Sequence, residues 1–279
     1  MSAAPGPPRL RARKRFGQHF LVDRGVIERI VALVQPAPGD VVLEVGPGRG
    51  ALTGPLLAAL PRLVAVEVDR DLAALLRRRF PQPGLRLVEA DVLRLDLGAV
   101  RREEGADKLL VVGNLPFNIT APLLFGLLEQ AAHVRAALVT VQREVARRLT
   151  SPPGSRDYGV VTVLLGMQAE ITARLDIGHG AFRPVPAVDS TVVELRFLEK
   201  WRWPVRDPDG FTRLVRTAFG QRRKMLRNSL AGLAGSADQP TLGAAASRAQ
   251  IDLTRRPETL SVEEFARLSD ALAPGGAEV

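Results

Sequence analysis

The tetrapeptide Asn114-Leu115-Pro116-Phe117 brings together a side-chain amide, a backbone carbonyl, a ring that fixes φ and an aromatic face. Such a loop suits a flat base with an exocyclic amine. In adenine the N6 lone pair is delocalised into the ring, so attack on a methyl sulfonium needs hydrogen-bond acceptors that localise it on nitrogen. The Asn114 side-chain oxygen and the Leu115 carbonyl can accept the two amino hydrogens. Pro116 stiffens the loop, and Phe117 offers a stacking face worth on the order of 1–3 kcal/mol per base. No general base is required, because the aminium product is acidic enough to lose its proton to water. Taken alone, four residues also fit an Asn-Pro type turn with a core Phe. Their position at the end of a candidate strand favours the site.

About 65 residues upstream, Val42-Leu43-Glu44-Val45-Gly46-Pro47-Gly48-Arg49-Gly50 reads as a buried strand turning through glycines into a helix, where the backbone can approach a ligand closely. A second strand, Val64-Ala65-Val66-Glu67-Val68-Asp69, carries Glu67 at its tip, 21 residues after Gly46. A carboxylate there can bind both hydroxyls of a ribose. Asp69 is read as the cap of the next helix. A third strand delivers Asp91, which suits an adenine amino group or, alternatively, a turn cap. These three signals fit a dehydrogenase as well as a methyltransferase, since both hold adenosine this way. The Asn114 loop tips the reading toward methyl transfer to adenine.

The chain has 279 residues, no cysteine and a formal charge of +9. Disulfides and thiolate metal sites are thereby excluded, and His19, His133 and His179 are too scattered to suggest a zinc cluster. A metal-free, cytoplasmic, monomeric protein is expected. No apolar run approaches the roughly 18 to 20 residues of a membrane span, and Pro5, Pro7 and Pro8 would interrupt an amphipathic targeting helix, which leaves residues 1–14 as a flexible basic arm. Of the 39 cations 35 are arginine, as phosphate binding favours and as GC-rich coding would also produce.

Elements that would position these residues follow from the pattern. From Asp40 to about Leu198, short β-branched runs alternate with helical stretches, as a parallel sheet covered on both faces requires. Strands are predicted at Val41–Val45, Leu63–Val68, Leu85–Glu89, Leu109–Gly113 and Ala136–Val141, with Ile171–Asp176 and Thr191–Leu198 as a later pair. Helices are predicted at Asp23–Val34, Ala51–Leu60, Arg70–Phe80, Ala121–Gln130 and Arg143–Leu149. The fold class is α/β, Rossmann-like, with ligands at the carboxyl ends of the strands. After Trp201-Arg202-Trp203-Pro204 short helical patterns take over, at Gly210–Phe219, Lys224–Leu233, Leu242–Arg248 and Val262–Leu272. This gives a domain of residues 1–200 and a smaller helical one of 201–279, with a loop at Gly235–Gln239 and a frayed end from Pro274.

Further motifs are Arg15-Phe16-Gly17-Gln18-His19-Phe20-Leu21, Gln142-Arg143-Glu144-Val145, Phe182-Arg183-Pro184-Val185-Pro186-Ala187-Val188-Asp189-Ser190 and Gln221-Arg222-Arg223-Lys224. With the paired loops, they make the chain resemble the ribosomal RNA adenine dimethyltransferases, over roughly residues 14 to 272, and most closely the bacterial small-subunit enzymes. The resemblance implies transfer of four methyl groups from S-adenosylmethionine to two adjacent adenosines near the 3′ end of 16S rRNA, in an immature 30S subunit. It also implies that His19 and Leu21 border the cofactor, Gly46 lies beneath its methionine part, Glu67 holds the ribose, Asp91 the adenine, and Asn114 both cofactor and target. Phe182 would be the second aromatic wall for the flipped adenine, or else a core Phe. The family usually has Asn where this chain has His19 and Tyr where it has Phe117. Imidazole can replace the amide as a donor, and Phe keeps the stacking face.

In the C-terminal part, Arg216, Arg222, Arg223, Lys224 and Arg227 form a candidate RNA-binding patch, with Arg216, Arg223 and Arg227 on one helical face. An intramolecular clamp is the alternative. Non-catalytic RNA binding on the same fold, and methylation of 23S rRNA or DNA adenine, are the competing functions.

Overall fold

The computed structural model describes residues 18–233 and 241–273. The basic arm, Arg15-Phe16-Gly17, the loop Gly235–Gln239 and the tail from Pro274 lie outside them.

The chain forms two compact units. One runs through Arg143 and takes up Ala173–Leu195; the other consists of Glu144–Thr172 and the chain from Arg196 onward. The junctions thus fall after Arg143, Thr172 and Leu195, where a single boundary near residue 200 was expected. The excursion Glu144–Thr172 into the second unit is an addition to that expectation.

In order, the strands are β1 (Phe20–Leu21), β2 (Val41–Val45), β3 (Leu63–Glu67), β4 (Leu85–Glu89), β5 (Leu109–Asn114), β6 (Val134–Gln142), β7 (Ala169–Ile177), β8 (Phe182–Arg183) and β9 (Ser190–Phe197). The helices are α1 (Arg24–Leu33), α2 (Thr53–Ala59), α3 (Arg70–Arg79), α4 (Leu97–Glu103), α5 (Thr120–Glu129), α6 (Arg143–Leu149), α7 (Val160–Gln168), α8 (Pro208–Gly220), α9 (Leu226–Ser229), α10 (Leu242–Ala249) and α11 (Val262–Leu272).

A seven-stranded sheet has the order β4-β3-β2-β5-β6-β9-β7, in which β4 through β6 pair in parallel. Every residue of β2 and β3 is buried, as strands covered on both faces must be. The chain winds outward from β2 to β4 and then crosses back to β5, so the strand order reverses between β2 and β5. Ligands in such sheets bind at the carboxyl ends beside this reversal. The loops leaving β2 and β5 are therefore neighbours, although about 65 residues separate them. On one face of the sheet Val42, Leu110, Val112 and Leu138 pack with Val26 and Ile30 of α1 and Leu56 of α2.

Helix starts follow local chemistry. The Asp23 side chain accepts from the Val26 amide at 3.0 Å to cap α1, and Asp69 accepts from the Asp71 amide at 3.0 Å to cap α3. In the second unit α8 begins with Pro208 behind the Asp207 cap. Its apolar side buries Phe211, Leu214, Val215 and Ala218. The helix expected over Lys224–Leu233 shortens to the four residues of α9, because α8 ends at Gly220 and the backbone turns through Gln221 to Met225.

Candidate active site

The cavity at the ends of β2, β3 and β5 is built from the residue types that bind a nucleoside. Past Val45 the backbone enters the left-handed region at Gly46 (φ 65°) and again at Gly50 (φ 80°). A Cβ at Gly50 would lie 2.4 Å from the Phe80 ring, so a side chain is excluded there. A Cβ at Gly46 would meet nothing within 4 Å. It would project into the open cavity that Gly46 lines, and glycine therefore keeps free the volume into which a ligand fits.

At the tip of β3, Glu67 is buried and its carboxylate accepts from two amides, Gly48 at 3.0 Å and Asp69 at 2.9 Å. Burial raises its pKa above the ordinary carboxylate value, and these amide donors oppose that rise. The side chain thus links the glycine loop to the next strand end and lines the same cavity. Asp91 lines it too, while its side chain caps the turn at the Leu93 amide, 3.0 Å away. Of the two readings of Asp91, this bond shows the turn cap.

Sequence reasoning assigned no role to Glu44, which is buried in β2, lines the cavity and accepts from the Thr53 hydroxyl at 2.7 Å. Burial pushes its pKa up to about 8; the Thr53 bond opposes the shift and the neighbouring Glu67 charge adds to it. A lone carboxylate in the apolar run Val41–Val45 was the available signal. The raised value means that Glu44 favours the fold while neutral. Its contribution is present below about pH 4.5 and is lost as pH rises toward 8. Glu44→Gln is therefore expected to gain thermal stability relative to the parent as pH rises from 5 to 8.5, measured by scanning calorimetry. A difference that is flat across this range would contradict the burial argument.

The Asn114 side chain at the end of β5 lines the cavity, and its Nδ2 donates to the His19 carbonyl at 2.9 Å. That bond uses the donor side of the amide and leaves Oδ1 as the acceptor. Leu115 is buried, Pro116 lines the cavity, and Phe117 opens a short 3₁₀ turn just outside the lining. The Phe117 ring stacks with that of His19, at 5.7 Å between centroids and 29° between planes. His19 and Leu21 line the cavity beside Phe20, over whose ring the Arg49 guanidinium sits at 4.5 Å. Phe20 and Arg49 are further lining residues that the sequence reading did not single out.

Strand β1 is held by pairing with β8, Phe20 opposite Arg183 and Leu21 opposite Phe182. Phe182 is 2% exposed, belongs to the core cluster and is absent from the cavity lining. Of its two readings, this is the core Phe, and it presents no aromatic face for a base.

In the second unit, Arg223, Lys224 and Arg227 are exposed, as is Arg216 on α8. The expected single helical face does not form, since these residues fall on α8, the turn at 221–225 and α9. The Arg222 guanidinium donates to the carbonyls of Ser155 (3.4 Å) and Arg156 (2.6 Å), so it ties the turn to the 150s segment. Among the described residues no helix is long and apolar enough to cross a membrane, and no group of three His, Cys, Asp or Glu side chains is placed to hold a metal ion.

The sequence profile of the ribosomal RNA adenine dimethylase family matches residues 9–273. A relative from Leptothrix cholodnii named ribosomal RNA small subunit methyltransferase A is 45% identical over 260 residues, covering 93% of this chain and 91% of its own. A dimethyladenosine transferase structure from Plasmodium falciparum has a TM-score of 0.76 at 21% identity, covering 90% and 96% of the two chains. The structure of the 23S rRNA methyltransferase ErmE has a TM-score of 0.67 at 26% identity, covering 91% and 99%.

Proposed function

This chain belongs to the ribosomal RNA adenine dimethylase family, and on that premise we propose that it dimethylates N6 of two adjacent adenosines near the 3′ end of 16S rRNA, as a cytoplasmic monomer acting on the immature 30S subunit. Its methyl donor is S-adenosylmethionine, which fits the open space at Gly46 and the polar groups around it. Bound there, the cofactor supplies an electrophilic methyl group on a sulfonium.

The chain's own residues do the remaining work. Glu67 would hold the ribose hydroxyls and Asp91 the adenine amino group, while Gly46 would leave room for the methionine part and His19 and Leu21 would border the cofactor. Asn114 Oδ1 and the Leu115 carbonyl accept the target amino hydrogens, which concentrates the lone pair on N6. Pro116 holds this loop in place, and Phe117 stacks on the base. The observation that supports this reading best is the Asn114 amide, fixed by the His19 carbonyl at the same cavity that Glu67 lines.

A labelled-methyl assay on immature 30S particles tests it. Incorporation into paired adenosines is expected, and no incorporation into adenosine would sink the enzyme reading in favour of RNA binding alone. Parallel reactions with 23S rRNA and DNA separate the substrate classes. The small-subunit relative, at 45% identity, favours the first substrate over the one in the name of ErmE.

Docking on folded rRNA is assigned to Arg216, Arg223, Lys224 and Arg227, with Arg222 bracing the turn that carries two of them. They contact phosphates and carry no sequence information. Replacing Arg223, Lys224 and Arg227 by alanine should flatten the slope of log affinity against log salt by about 0.7 to 0.9 for each phosphate no longer neutralised, with cofactor affinity unchanged. Lower thermal stability at an unchanged salt slope would instead show an intramolecular clamp.

A further inference from the structure

His19 touches more of the site than a cavity-lining residue needs to. Its carbonyl accepts from Asn114 Nδ2 at 2.9 Å, its ring Nδ1 lies 2.8 Å from the Pro184 carbonyl, and its ring stacks on Phe117. A carbonyl only accepts, so Nδ1 carries the proton in that contact. One residue therefore joins three segments far apart in the chain: the start of β1, the loop after β5 and the loop after β8. The placement is also asymmetric. His19 lines the cofactor cavity, whereas Phe117 is absent from its lining and stacks on the imidazole.

We propose that His19 and Phe117 act as one positioning unit, in which the imidazole fixes the phenyl face that receives the target base to the wall of the cofactor cavity. This rests on the functional reading above, with His19 as a positioning residue acting through Phe117. A phenyl ring without a hydroxyl has no hydrogen bond to fix its orientation, so its place depends on what it packs against. Here the packing partner is a ring that is itself tethered by the Pro184 carbonyl. An amide at position 19 would keep a donor for Pro184 and remove the ring, leaving Phe117 unsupported.

A double-mutant cycle on the full chain tests the pair, using single-turnover methyl transfer to immature 30S particles at saturating cofactor and RNA. H19N keeps the backbone carbonyl that holds Asn114 and a side-chain donor, and deletes only the ring. F117L keeps bulk and deletes the aromatic face. Each single change is expected to slow transfer about 10-fold, since small misplacement at a reacting centre is costly. The double variant should be no more than about 3-fold slower than the slower single, because either change alone already abolishes the stacking. The RNA concentration for half-maximal rate should move little, and cofactor affinity in F117L should match the parent. H19F retains a ring without the donor and is expected to stay nearer the parent rate than H19N. Single effects that multiply in the double variant to about 100-fold would overturn the proposal. So would singles that lose thermal stability at the parental rate. Absence of transfer by the parent protein would overturn the functional reading itself, and this inference with it.

Discussion

Asn114→Ala is expected to lower the single-turnover rate of methyl transfer by about 10²- to 10³-fold, or about 2.7 to 4 kcal/mol of barrier, while RNA affinity changes by only a few fold. The difference follows from when the contact matters. In the proposed role the amide accepts an ordinary hydrogen bond from a neutral amine in the ground state. As N6 attacks the methyl group, positive charge develops on the nitrogen, and the acceptor gains strength as the barrier is crossed. The bond from Nδ2 to the His19 carbonyl makes the acceptor effective, because it fixes the flip of the amide before any base arrives. Asn114→Asp supplies an acceptor and loses that donor, placing a carboxylate beside a carbonyl. An intermediate rate is expected for it. Rapid-quench kinetics together with equilibrium RNA binding check the split, and equal losses of rate and RNA affinity in Asn114→Ala would contradict the role.

How far the sequence carried this site depends on the range of each signal. The runs Val41–Val45 and Leu85–Glu89 match the observed strands residue for residue, because short β-branched and apolar runs bounded by turn residues leave little choice of end points. Glu67, Asp91 and Asn114 each close or follow such a run. Parallel pairing then brings them to one cavity with no further information. Signals that need a distant partner were out of reach. Strands β1 and β8 have two residues each, too few for a period, and pair across about 160 positions. Whether Phe182 faces the core or the cavity is decided by that pairing. Helix α7 begins Val160-Val161-Thr162-Val163 and buries five of its nine residues, so it shows neither an amphipathic stripe nor a helix-favouring start. Helix α4, only seven residues long and capped by Asp96, is too short for a clear stripe. The basic residues around 220 share one face only if a single helix runs through them. It stops at Gly220, and the face dissolves although the exposure of Arg223, Lys224 and Arg227 remains.

Glu67→Ala acts on the other half of the reaction and should be the more damaging change to cofactor binding. A carboxylate that accepts from both ribose hydroxyls makes two charge-assisted hydrogen bonds, each worth about 1.5 to 3 kcal/mol. Their removal corresponds to roughly 10²- to 10⁴-fold in cofactor affinity. The same carboxylate satisfies the Gly48 and Asp69 amides, so the truncation also frees the glycine loop and should lower the melting temperature. Glu67→Gln separates charge from shape. Its amide can accept from one of those backbone donors, while its own NH₂ would face the other, so it too should bind the cofactor weakly. The pH dependence has a definite sign. Burial holds the Glu67 pKa above the ordinary 4.5, and in the proposed role the ionised form is the one that accepts from ribose. Ionisation thus costs the empty protein stability as pH rises above 4.5, and the hydroxyl donors of the ribose offset that cost. Cofactor affinity is therefore expected to rise with pH through the titration of Glu67, a contribution that is absent in Glu67→Gln. Calorimetric titration between pH 5 and 8.5 measures both. Parental affinity in Glu67→Ala, or the same pH profile in parent and Glu67→Gln, would remove Glu67 from the cofactor site.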